Sequence, residues 1–347
     1  MLNSWLVVTV DVILAFVLSL LSVHRFRHFA LVKGLVDNPN SRSSHKVATP
    51  RGGGLVFVLL WGIASVLLAL FGAWVFEHVL VLLPGALIVA AIGYMDDHGG
   101  VSPARRALVH FAAALGCVFF LGGVDALSLG AFKVHLGWLG ALLAVFAIVW
   151  SVNLFNFMDG TDGIASVEAL SVVGVGGAFL WQAGGAELAV SAWILAASVG
   201  GFLVWNWPKA SIFMGDVGSG FLGFLIAAYA LAGEIWYGVP ALLWVILYVV
   251  FWFDATVTLL RRVTAGERWY SAHRSHAYQR LHHLGGWSHR KILWAVIGLN
   301  IIFGCLAVYG NAHRDQLFWL LLTSVVIAGF LYAFIERIAP MYKNEHA

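Results

Sequence analysis

Eleven continuous apolar runs divide this chain, each close to the length needed to cross a bilayer, and they leave few folds open to it. Their approximate limits are 3–23, 55–76, 79–95, 107–123, 137–157, 164–182, 187–207, 217–233, 239–260, 291–309 and 316–336. A helix needs about 20 mainly apolar residues to span the hydrocarbon core. Inside lipid the backbone is satisfied only by helices or a closed barrel. The runs are rich in Leu, Val and Ala and do not alternate, so helices are expected and barrel strands are not. Only 11% of the 347 residues are charged, against about 25% in a soluble domain. The sequence therefore predicts an all-α, polytopic integral membrane bundle of about 11 transmembrane helices, forming one domain over residues 1–347.

The first run has no basic leader and no clear small-residue cleavage site, so it reads as a retained span. Cys117 and Cys305 lie within apolar runs and imply no disulfide framework. Orientation follows from the basic residues. If all eleven runs cross, then 24–54, 96–106, 158–163, 208–216, 261–290 and the C-terminus share one side. Those segments and their boundary residues hold 18 of the 20 Lys and Arg, leaving Lys133 and Arg314 opposite. The expected N-terminus is periplasmic and the expected C-terminus cytoplasmic, in a bacterial inner membrane.

The carboxylates gather where runs stop on that same side. Asp96-Asp97 follows the third run, and two adjacent carboxylates beside lipid call for a cation or a proton-transfer role. Ser102-Pro103 and Arg105-Arg106 come next and suit phosphate. Asn153, Asn156 and Asp159 recur every three residues, so they share a helical face that ends in Asp159-Gly160-Thr161-Asp162-Gly163. Asp162 also suits a simple turn cap. Gly215-Asp216-Val217-Gly218-Ser219-Gly220 opens the eighth run. Its glycines permit close backbone approach, and Asp216 is a hard oxygen ligand of the kind Mg²⁺ takes alongside phosphates and water. Asp216 could equally cap the helix. The inner loop from Arg261 to Lys291 is dense in His and Arg, including His273, Arg274 and His276, which suits pyrophosphate recognition or acidic lipid headgroups. Asp254 is placed to neutralise Arg261 or Arg262. Glu168, near the acidic turn, is expected to face the cavity.

Taken together, these segments resemble the polyprenyl-phosphate N-acetylhexosamine-1-phosphate transferases. The resemblance runs from Ser44-His45-Lys46-Val47-Ala48-Thr49-Pro50-Arg51-Gly52-Gly53 to His276. It rests on five motifs in the family's order: the Pro-Arg-Gly-Gly segment, Asp96-Asp97 with Arg106, Asn153 to Gly163, Gly215 to Gly220, and the His/Arg loop. It implies transfer of a HexNAc-1-phosphate from a UDP-sugar to undecaprenyl phosphate, with release of UMP. It also implies Mg²⁺, with Mn²⁺ as a substitute. Asp216 is then the main metal ligand with Asn156 beside it, and Asp96 and Asp97 stand near the lipid phosphate. Arg106 is implied to contact phosphate, and His273, Arg274 and His276 to approach the sugar-nucleotide. Asn153, Asp159 and Asp162 complete the implied substrate-binding set. The loop reads Ser271-Ala272-His273-Arg274-Ser275-His276, not the triple His of the pentapeptide transferases. It is similar to the O-antigen-initiating branch, some of whose members accept 6-deoxy-HexNAc sugars.

The expected chemistry is direct in-line attack by the lipid phosphate on the β-phosphorus, with Asp97 holding or deprotonating that phosphate. A covalent aspartyl-phosphate route competes with it. A homodimer is left open, and no nucleic-acid partner is expected. Two other classes stand beside this reading. One is a CDP-alcohol phosphotransferase, whose motif Asp162-Gly163-Ile164-Ala165 matches incompletely. The other is a transporter, which would place its charges near the bilayer midplane.

Overall fold

The computed structural model describes residues 5–37, 47–268 and 273–342. Residues 44–46 of the Pro-Arg-Gly-Gly segment, and Ser271-Ala272 of the His/Arg loop, lie outside the described residues. The architecture of the described residues is mainly helical. The helices are α1 (Trp5–Lys33), α2 (Gly54–Leu70), α3 (Phe76–Gly99), α4 (Pro103–Phe120), α5 (Trp138–Met158), α6 (Ile164–Gln182) and α7 (Ala186–Asn206). They continue as α8 (Asp216–Tyr237), α9 (Ala241–Leu247), α10 (Val249–Thr264), α11 (Ala277–His283), α12 (His289–Ala312) and α13 (Leu317–Ile338).

Nine helices are long and apolar enough to cross a membrane among the described residues, and ten if the bent pair α9–α10 is one span. Two of the eleven apolar runs thus take a different form. The second becomes α2, which is only 17 residues long. The ninth breaks by 78° between α9 and α10. The break falls at Tyr248, whose hydroxyl is tied to Ser151 Oγ on α5 at 2.9 Å and whose ring stacks on Phe155. Beyond it α10 carries charge on one face, including Asp254, Arg261 and Arg262.

The most enclosed helix is α8, with nearly every residue from Val217 to Glu234 buried. A helix so enclosed must be approached closely on all sides, and in membranes small residues make that approach. A Cβ on Gly54 of α2 would come within 2.6 Å of the Gly218 backbone, and a Cβ on Gly93 of α3 would strike the Asp216 carbonyl. Glycines therefore let α2 and α3 lie against the first turn of α8. That packing brings the C-terminal end of α3 beside the N-terminal end of α8.

Two short antiparallel ribbons complete the chain. β1 (Val36–Asp37) pairs with β2 (Thr49–Pro50). The strand continues as a strap, because Phe213 N–H donates to the Pro50 carbonyl at 2.8 Å, and the Gly53 and Gly54 N–H groups donate to Phe213 and Met214 at 2.9 Å each. Arg51 is thereby fixed beside the start of α8. At the opposite end of the bundle β3 (Ala126–Ser128) pairs with β4 (Lys133–His135). Glu234 accepts there from the Ser128 N–H at 3.0 Å and the Ala241 N–H at 2.6 Å.

Candidate active site

Asp216 is the first residue of α8, and its cap comes from another helix. Asp97, near the end of α3, accepts from the Asp216 N–H at 2.9 Å through Oδ1 and from the Val217 N–H at 3.1 Å through Oδ2. These are N–H groups that a helix start leaves without internal partners. A carboxylate there also meets the positive end of the helix dipole. Gly215 stands at the cap position with φ +80°, and a Cβ there would collide with the Asp97 carboxylate. Gly215 thus gives the close approach that lets Asp97 reach in.

Two arginines join the three carboxylates. Arg51 Nη2 is 2.8 Å from both Asp97 Oδ1 and Asp216 Oδ1. Arg106 Nη1 is 2.5 Å from Asp96 Oδ2 and 3.3 Å from Asp216 Oδ2. Asp96 is further held by the Val101 N–H at 2.6 Å. Access differs sharply along this network. The Asp97 side chain is 2% exposed, whereas that of Asp216 is 20% exposed and those of Arg51 and Arg106 are 35% and 31%. Asp97 is therefore enclosed as the helix cap, and Asp216 remains reachable.

A cleft opens from this network between α3, α4, α5 and α8. Its polar lining is Arg106, His110, Asn153, Asn156 and Asp216. Asn153 and Asn156 share it, as their three-residue spacing requires. Asn156 Nδ2 donates to Ser219 Oγ at 3.2 Å. A second polar hollow, lined by Asp37, Arg51, Asp97 and His98, lies on the other side of the Arg51 bridge. Asp159 follows the end of α5. Burial first, then the Asp216 carboxylate and, against the pull of Arg51, those of Asp97 and Asp162, push its carboxyl well above the ordinary range.

The Asp216 carboxylate of α8 and the Asn156 amide of α5 line the same cleft, and such oxygen donors suit a hard divalent cation that completes its shell with phosphates and water. Among the described residues, no group of three His, Cys, Asp or Glu side chains converges as a ready-made metal cage.

Other expected site residues lie outside this cleft. Asp162 accepts from the Ala210 N–H at 3.1 Å and lies 3.1 Å from His289 Nδ1, tying the acidic turn to the start of α12. His276 is buried at the cap of α11, where its Nδ1 is 3.6 Å from Asp254. His273 and Arg274 are half-buried on the loop before it. The Ser275 N–H donates to His273 Nδ1 at 3.2 Å, so that nitrogen carries no proton and Nε2 is the donor. Burial, then the neighbouring His276 and Arg262, lower the His273 pKa to about 4.

Two sequence expectations are corrected here. Asp254 does not neutralise Arg261 or Arg262; it accepts from the Ala277 N–H at 2.9 Å and the Thr258 hydroxyl at 2.9 Å. The two arginines turn instead to Glu336 and Glu267. Glu168 does not line the cleft. It is fully buried on α6 toward Asn300 of α12, and neither carboxyl oxygen has a hydrogen-bond partner within bonding distance. Arg51 and His110 were missing from the candidate set. Arg51 was legible as the charged residue of the Pro-Arg-Gly-Gly segment, whereas His110 sits in an apolar run without a motif.

The chain is 30% identical over 344 residues to the probable undecaprenyl-phosphate N-acetylglucosaminyl 1-phosphate transferase of Bacillus subtilis, covering 96% of this chain and 92% of that protein. It belongs to the polyprenyl-phosphate N-acetylhexosamine-1-phosphate transferase family. Residues 79–234 match the family described as glycosyl transferase family 4. The phospho-N-acetylmuramoyl-pentapeptide-transferase of Streptococcus pneumoniae is 28% identical over 316 residues, covering 85% of this chain and 95% of that protein. The matched region of this family member contains Asp96, Asp97, Arg106, Asn153, Asn156 and Asp216, while Arg51 and the His/Arg loop fall outside it.

Proposed function

We propose that this protein transfers a HexNAc-1-phosphate from a UDP-sugar to undecaprenyl phosphate and releases UMP. The observation that carries this reading is the cleft in which Asp216, Asn156 and Arg106 meet at one end of the bundle, with Arg51 on the other side of Asp216. A donor with two phosphates and an acceptor with one bring several negative charges to a single place. Guanidiniums suit that load, because their planar forks match phosphate geometry.

The proposed step is direct. An oxygen of the lipid phosphate forms a bond to the β-phosphorus, and the bond from that phosphorus to the bridging oxygen breaks. UMP leaves with the bridging oxygen and its electron pair. A phosphate monoester has its second pKa near 6, so at neutral pH the nucleophile is already mostly an oxyanion and needs no base. This reading assigns Asp97 a positioning role instead of deprotonation, consistent with its buried, fully engaged carboxylate. Arg106 and Arg51 would exchange part of their carboxylate contacts for phosphate oxygens. Asp216 and Asn156 would hold Mg²⁺, or Mn²⁺ in its place, which when bound offsets charge on the diphosphate and on departing UMP. Asp159, whose carboxyl is pushed above the ordinary range by burial and by the Asp216 carboxylate, lies beside the site.

The site is read as lying at the cytoplasmic face of a bacterial inner membrane, with the N-terminus outside; this reading takes the short α2 and the bent α9–α10 pair as crossings beside the nine long helices, which puts 18 of 20 Lys and Arg on that side. His273-Arg274-Ser275-His276 in place of three consecutive histidines favours a donor without the pentapeptide. A 6-deoxy-HexNAc donor, and a role in starting O-antigen or a related envelope glycan, form the narrower version of the reading. The deciding assay is UMP release in membranes from a panel of UDP-HexNAc donors, including a 6-deoxy sugar, with and without undecaprenyl phosphate and Mg²⁺. Release that needs both additions supports the reading. Solute uptake without UMP release would favour a transporter.

A further inference from the structure

Seven residues make α11 too short to hold itself as a helix, since isolated helices below about 12 residues are marginal in water. Its position must come from tertiary contacts, and that position matters because His273 and Arg274 immediately precede it. Three anchors hold it. At its N-terminus Asp254 of α10 accepts from the Ala277 and Tyr278 N–H groups at 2.9 and 3.4 Å. On its flank the Tyr278 hydroxyl donates to the Phe157 carbonyl at 2.9 Å, next to the acidic turn. The third anchor comes from α13, far along the chain.

That anchor is Glu336. It accepts from Arg280 of α11 at 2.7 Å and, through both oxygens, from Arg261 of α10 at 2.5 and 2.9 Å. The Met341 N–H adds a fourth bond at 3.0 Å. Arg280 also donates to the Ala339 carbonyl at 2.6 Å, and its side chain is only 3% exposed. Tyr332, one turn before Glu336, lies under both guanidiniums, 5.1 Å from that of Arg280 and 5.8 Å from that of Arg261. Behind the clamp is a cavity lined by Phe253, Tyr278, Leu281 and Ile335. Apolar packing is therefore incomplete between α10, α11 and α13, and the charged clamp sets their spacing. A cation as buried as Arg280, deprived of its counter-charge, would leave a large electrostatic deficit.

We propose that Glu336 is a positioning residue for the donor: through Arg280 and Arg261 it fixes α11 and thereby the His273–Arg274 loop that meets the sugar-nucleotide. This rests on the functional reading above for what the loop binds, but not for the clamp itself. It gives α13, which lies outside the region matched to the family at residues 79–234, a part in the reaction.

The test uses the full chain in lipid nanodiscs with UDP-GlcNAc as the donor probe, comparing the parent protein, Glu336→Gln and Glu336→Asp. Glu336→Gln is expected to raise KM for UDP-GlcNAc by roughly 10-fold, with kcat and the KM for undecaprenyl phosphate changed by less than about 2-fold. Glu336→Asp, which keeps the charge, should recover most of that loss. Trypsin should cut between Arg268 and Arg280 several-fold faster in Glu336→Gln than in the parent. Unchanged donor KM together with unchanged cutting would overturn the proposal. So would equal losses for donor, lipid and kcat, which mark a general defect. If the parent turns over another UDP-HexNAc of the panel but not UDP-GlcNAc, that donor replaces it as the probe; a parent protein that turns over none of them would count against the functional reading, and the trypsin comparison would then decide the clamp alone.

Discussion

Asp97 caps the helix that Asp216 begins: its Oδ1 accepts from the Asp216 N–H at 2.9 Å and its Oδ2 from the Val217 N–H at 3.1 Å, and both carboxylates share Arg51 at 2.8 Å. Removing Asp97 should therefore be read in stability as well as in rate. Asp97→Ala leaves two buried N–H groups and a guanidinium short of partners, at a cost of about 1–3 kcal/mol. Thermal unfolding in detergent should show that loss together with reduced turnover. A variant with full stability and no activity would instead restore a chemical role for Asp97.

Asp216 should behave in the opposite way. Its side chain is the more exposed of the pair, and it meets Arg51 and Arg106 at the cleft. Asp216→Asn keeps the shape and removes the charge. Turnover should fall by roughly 100-fold or more, with a melting temperature close to that of the parent. The Mg²⁺ concentration needed for half-maximal rate should rise in any residual activity. Near-normal turnover in this variant would remove Asp216 from the metal assignment.

Close approach at Gly93 makes a steric prediction. A methyl group there meets the Asp216 carbonyl, which is backbone and cannot swing aside. Gly93→Ala should force α3 and α8 apart and destabilise the protein by about 1–3 kcal/mol, the usual range for overpacking. Activity should fall with it, because Asp97 and Asp216 sit on the two displaced helices. Unfolding curves and UMP release on the same preparation check both effects.

His273 supplies a pH dependence with a definite sign. Burial holds it neutral, with a pKa lowered to about 4 from the ordinary 6.5. Between those values the unfolded chain binds the extra proton and the folded chain does not, so stability rises with pH across this window. It is fully present above about 6.5 and is lost as pH falls toward 4. His273→Gln should flatten that part of the curve of melting temperature against pH. An unchanged slope would show that the imidazole is not buried neutral.

Much of this protein was legible in the order of its residues. Lipid admits few backbone arrangements, so the long apolar runs alone fixed an all-helical membrane fold. Asn153 and Asn156 were readable as one face because helical periodicity is local. Both do line the cleft. The division of labour among the carboxylates was not legible. Asp97 and Asp216 are 119 residues apart in sequence, and their relationship exists only because Gly93 lets α3 press against α8. The same holds for Asp254, whose nearest basic residues in sequence are Arg261 and Arg262 but whose hydrogen bonds go to Thr258 and the start of α11. Sequence by itself determined the solvent, the element type and the clustering of charge at helix ends, since each follows from local composition. Tertiary structure decided which carboxylate is buried as a cap and which stays open to a ligand. That depends on where two backbones can touch, and on which N–H groups are left unpaired there.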